Sequence, residues 1–80
     1  MDIETALKKG KLILRDNKIK SAELDSEILM SQAIRKDKKY IILNYNKKIK
    51  KKDLKYFDFL IQERVKKKPI AYLTKKKDFW

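Results

Sequence analysis

The chain contains no cysteine and no histidine, and only one glycine and one proline. Without thiols there is no disulfide framework and no thiolate metal site. Without imidazole, the commonest metal ligand and the commonest general base are missing as well. A single glycine and a single proline supply too few tight corners for a turn-rich β-sandwich or barrel. No apolar run approaches the ~20 residues needed to span a bilayer, and the N-terminus lacks a signal-peptide core. These absences predict a soluble cytoplasmic chain, free of membranes and with little chemistry of its own.

Charged and hydrophobic residues are present in equal measure, 42% each over 80 residues. That balance suits one small domain with a compact core, not a disordered tail. A core of this size supplies about 3–5 kcal/mol, so support from a covalent or bound neighbour is expected. The net charge of +12 is unevenly placed. Residues 1–34 hold six basic and six acidic side chains, whereas residues 35–80 hold seventeen and five. The excess gathers at Lys50-Lys51-Lys52, Lys66-Lys67-Lys68 and Lys75-Lys76-Lys77, which points to an acidic partner surface or to nucleic acid. Yet there are twenty lysines against three arginines, and phosphate and base readout lean on the planar guanidinium fork. A solvated basic face, or a codon bias toward AT, gives the same excess with no binding role.

Apolar spacing predicts an all-α bundle of four to five helices, at about 2–16, 22–35, 38–44, 51–67 and 69–74. Asp2 caps the first, whose stripe is Ile3, Ala6, Leu7, Gly10, Ile13 and Leu14, with Leu12 opposite and available to a second neighbour. Gly10 sits mid-stripe, where glycine costs about 1 kcal/mol against alanine; close approach of another helix explains it. Asn17 is placed as a left-handed stop. Ser21 is expected to cap the second helix, with Leu24, Ile28 and Leu29 as its stripe. Asp37 is expected to cap a short third helix carrying Tyr40, Ile41, Ile42 and Leu43, ended by Asn44 and Asn46. Leu54, Phe57, Leu60, Ile61 and Val65 line the fourth, stapled by Ile49. Pro69 suits the first position of the last.

Two sites resist this scheme. Asp25 and Gln32 fall within the stripe of the second helix, two turns apart, so a buried Asp25 must find hydrogen-bond donors. A general acid or base role would need a second inward-facing group, and none is placed beside it. Phe59 lies opposite the core stripe of the fourth helix, among Lys55, Gln62 and Lys66, to be covered by the C-terminal segment or by a partner.

The closing residues Pro69-Ile70-Ala71-Tyr72-Leu73-Thr74-Lys75-Lys76-Lys77-Asp78-Phe79-Trp80 end in two large aromatics, which ordinarily pack against further chain. This stretch resembles the P-I-A-Y-L-T-G-x-x-x-F-W segment joining the helical N-terminal domain to the catalytic domain in the HemK-type (PrmC) release-factor glutamine methyltransferases. Asp25-Ser26-Glu27-Ile28-Leu29-Met30 is similar to that domain's D-A-E-I-L-L helix, and residues 49–65 resemble its fourth helix. Lys75 stands where the family has glycine. The resemblance covers essentially the whole chain.

It implies that residues 1–74 are a helical substrate-recognition domain and residues 75–80 the start of a linker to a methyltransferase domain absent from this sequence. Pro69, Ile70, Tyr72, Leu73, Thr74, Asp78, Phe79 and Trp80 would then form the interdomain junction. Lys55, Phe59, Lys66, Lys67 and Lys68 are the expected partner surface. The family binds S-adenosylmethionine and methylates the glutamine of the Gly-Gly-Gln motif in peptide-chain release factors. Its Gly-rich cofactor loop and Asn-Pro-Pro-Tyr motif have no counterpart here, so no catalytic, cofactor-binding or metal residue carries over. The expected partners are a release factor and the chain's own methyltransferase domain, with the chain a monomer and nucleic acid only an indirect partner. The competing reading is a stand-alone basic helical module that binds nucleic acid.

Overall fold

A computed structural model describes residues 1–74. Five helices follow one another, α1 (Ile3–Asp16), α2 (Ala22–Ile34), α3 (Lys38–Leu43), α4 (Lys51–Val65) and α5 (Ile70–Thr74). The all-helical expectation holds. The only non-helical pairing among the described residues is an isolated bridge between Asp2 and Lys48.

Asp2 caps α1 by accepting from the Thr5 backbone amide at 2.8 Å. The next orphan donors of that turn are taken by the α3–α4 loop: Ile3 N–H donates to the Lys47 carbonyl and Glu4 N–H to the Tyr45 carbonyl, each at 2.9 Å. The start of the chain is thus riveted to the loop that precedes α4. Asp37 caps α3 in the same way, through the Tyr40 amide at 2.9 Å.

Other termini differ from expectation by a residue or two. Ser21 occupies the cap position of α2, but its side chain makes no bond to the helix backbone; its hydroxyl donates instead to the Asp25 carboxylate at 2.9 Å. The left-handed residue after α1 is Lys18, with φ 64°, and not Asn17. Asn44 ends α3 with an ordinary negative φ, its side-chain amide donating to the Tyr40 carbonyl at 2.7 Å. Helix α4 stops at Val65 because Lys67 turns left-handed at φ 72°. Pro69 stands just outside α5, its carbonyl accepting from Leu73 N–H at 3.1 Å.

Helix α2 lies between α1 and α4, and α5 packs against both α2 and α4. Ile3, Leu14, Leu29, Met30, Phe57, Leu60 and Ile61 fill the interior, with Leu73 of α5 closing it. Gly10 lets α1 come down onto α4: an alanine Cβ there would lie 2.7 Å from Phe57 Cζ and 3.0 Å from both Ile61 Cδ1 and Ser26 Oγ.

The expected stripe of α2 needs correction. Leu29 is buried and Ile28 is partly buried, but Leu24 is 52% exposed. Being sandwiched on two sides, α2 buries Ala22, Asp25, Ser26, Leu29, Met30, Gln32 and Ala33, so its polar residues turn inward. They bond to the flanking helices. Ser26 Oγ donates to the Leu7 carbonyl of α1 at 2.9 Å, and Gln32 reaches the Tyr56 hydroxyl of α4 at 3.4 Å. Leu12, opposite the stripe, is half exposed. On α3 only Ile41 is buried, while Ile42 and Leu43 face outward; six residues are too few to bury two faces.

Candidate functional site

Asp25 is 3% exposed, yet two donors satisfy it: the Ser21 hydroxyl and Arg64 Nε, each at 2.9 Å. Arg64 in turn donates through Nη1 to the Lys68 carbonyl at 3.0 Å. The carboxylate therefore joins α2 to α4 and to the turn leading into α5. All its contacts are structural.

A second buried acid, Glu63, escaped the sequence reading. It is 8% exposed and accepts from Lys66 Nζ at 3.1 Å and from Lys68 Nζ. These hydrogen bonds, Lys68's first, hold its carboxyl below the ordinary value, and Glu63 holds the Lys68 ammonium above its own. The signal was its position on α4 one turn after Leu60, between the apolar stripe and a lysine run. The left-handed turn at Lys67, invisible to periodicity, brings Lys68 back onto it.

The expected partner lysines can now be placed. Lys66 and Lys68 are paired with Glu63, and Lys67 Nζ donates to the Asn17 carbonyl at the end of α1, 3.0 Å away. Lys55 lies on the exposed side of α4. Phe59 is 50% exposed and stacks on Tyr56, ring centroids 6.4 Å apart.

Of the expected junction, Leu73 is buried in this bundle and Ile70 packs partly against its core. Both help attach α5 to α2 and α4. The Thr74 hydroxyl closes back on the Ile70 carbonyl at 3.1 Å. Pro69 remains exposed. Tyr72 is 55% exposed, the outward apolar group of α5. Asp78, Phe79 and Trp80 lie outside the described residues.

Phe59, Tyr56 and Tyr72 line a cavity of about 150 Å³ together with Leu60 and Leu73. The Glu63–Lys68 pair forms its polar wall, with Lys68 Nζ 5.8 Å from the Tyr72 ring centroid. The cleft thus combines half-exposed aromatic rings, apolar side chains and one charged pair. Among the described residues its lining holds no nucleophile–base pair.

Fold and surface together define a small all-helical module whose outward features are an aromatic cleft and an excess of lysine. The PrmC N-terminal domain profile matches residues 5–74. The chain belongs to the PrmC N-terminal domain family, and membership implies a parent methyltransferase. No curated protein and no solved structure matches it. Among the described residues, no helix is long and apolar enough to cross a membrane.

Proposed function

We propose that this chain is the substrate-engaging N-terminal domain of a protein-(glutamine-N5) methyltransferase that acts on the Gly-Gly-Gln motif of peptide-chain release factors. The family match over residues 5–74 carries this reading. Residues 1–74 form the binding domain, and residues 75–80 lead toward a methyltransferase domain. S-adenosylmethionine and every catalytic group belong to that domain; this chain contributes neither.

Its part is to supply binding energy away from the reacting centre, which orients the glutamine amide for transfer. The aromatic cleft of Phe59 and Tyr72 supports this reading, since half-exposed aromatic rings beside apolar side chains are the groups that anchor a protein partner. The lysine excess adds steering toward an acidic protein surface. The domain acts as a monomer in the cytoplasm.

Competition tests the proposal. Excess isolated chain, added to a release-factor methylation assay with a complete enzyme of this family, should occupy the factor and slow methyl transfer. Unchanged transfer at saturating chain would contradict it. A folded chain that shifts tRNA or duplex DNA on a gel at about 0.15 M salt, where nonspecific polycation binding fades, would favour the nucleic-acid module instead.

A further inference from the structure

Glu63 offsets one of the two charges on Lys66 and Lys68; a second group of lysines has less compensation. A cavity of about 240 Å³ opens where the α3–α4 loop meets the start of α4. Lys36, Lys47, Lys48 and Lys50 stand around it, and none of the four has an ion-pair partner among the described residues. Asp53 supplies one carboxylate to the wall, leaving three positive charges in excess. The apolar side is built from Ile3, Ile34 and Ile49.

Tyr40 organises the cations. Lys36 Nζ lies 5.3 Å and Lys47 Nζ 5.7 Å from its ring centroid, and Lys47 also donates to its hydroxyl at 3.3 Å. A ring quadrupole attracts an ammonium by about 0.5–1 kcal/mol at an exposed site, but it carries no net charge and neutralises nothing. The loop beneath is fixed by backbone bonds: Ile3 N–H to Lys47, Glu4 N–H to Tyr45, and Ile49 N–H to the Met1 carbonyl at 3.0 Å. Like charges are thus held close on a rigid frame, and an anion entering between them relieves their repulsion.

We infer that this lysine-walled cavity seats glutamate side chains of an acidic segment on the protein partner. The inference rests on the reading of the chain as a protein-engaging domain. Glutamate fits both surfaces, its methylenes on the isoleucines and its carboxylate among the ammoniums. A nucleic-acid strand fits less well. The cavity has no arginine fork, and the Tyr40 ring on which a base would stack already holds two ammonium groups.

The test titrates the chain with a hexaglutamate peptide at low salt, following backbone amide shifts, alongside a uridine oligonucleotide of equal charge. Hexaglutamate should move the amides of Tyr40 and of residues 47–53. Lys36→Ala/Lys47→Ala should weaken it at least about fivefold, and Lys9→Ala/Lys20→Ala, with the same net charge, less than twofold. Lys48→Gln/Lys50→Gln provides a second pair of variants with the Tyr40 contacts kept, and it should weaken binding likewise. Equal weakening by the control pair, tighter binding of the oligonucleotide at these amides, or no shift at all overturns the inference. No release factor or methyltransferase domain enters the measurement. A negative result therefore removes this cavity and leaves the release-factor reading to its own competition assay.

Discussion

Arg64 and Asp25 stand 39 positions apart in the chain and meet at 2.9 Å, the carboxylate 5% and the guanidinium 19% exposed. A buried pair of this kind adds little over a well-packed apolar substitute, but removing one partner strands the other. Arg64→Met keeps the stem packed and leaves Asp25 with Ser21 alone. We expect a loss of about 3 kcal/mol in urea unfolding, and a loss under 1 kcal/mol would show that Asp25 is served without Arg64.

Gly10→Ala sets two effects against each other. Alanine gains about 1 kcal/mol in helix propensity. Its Cβ would meet Phe57 Cζ at 2.7 Å, and Phe57 is 1% exposed with nowhere to go. Overpacking of this kind costs about 1–3 kcal/mol, so the variant should melt several degrees below the parent. A raised Tm would mean that α1 and α4 can separate freely.

Glu63 makes stability depend on acid. Its carboxyl is held below the ordinary 4.5 by Lys68 and Lys66, so the native state prefers it charged. The contribution is complete above about pH 5 and disappears as pH falls through the lowered native value. Asp2 acts with the same sign, lowered from 3.8 by its bonds to Thr5. Lys68 is the reverse case: raised above 10.5 by Glu63, it contributes at lower pH and loses that contribution in strong alkali. Glu63→Gln should flatten the acid limb of a stability–pH curve. An unaltered limb would contradict the pairing.

The fold was legible because α1 and α4 each bury one face. The stripe from Ile3 to Leu14 and the stripe of Phe57, Leu60 and Ile61 are regular enough to place both helices. Helix α2 was legible as a helix but not as a packing surface. It is buried on two sides, so Asp25, Ser26 and Gln32 face inward while Leu24 does not. The need of Asp25 for donors was readable from sequence; that Arg64 would supply one was not, because no local pattern reports a contact between distant helices. The lysine run 66–68 looked like free charge. Lys66 reaches Glu63 at helical i,i+3 spacing, Lys67 reaches the end of α1, and Lys68 returns to Glu63 through a left-handed turn at Lys67 that periodicity does not encode. Phe59 is legible as lying off the core stripe and is half exposed; Tyr72 comes beside it because α5 folds back onto α4.

The proposed grip of this domain on a release factor is read by calorimetric titration of the chain with the purified factor. Saturable one-to-one binding is predicted. Phe59→Ser/Tyr72→Ser should weaken it at least about tenfold, the loss typical of one anchoring aromatic, in a chain that stays folded with a somewhat lowered unfolding midpoint. Absence of binding by the folded chain would contradict the account, as would full affinity in the double variant.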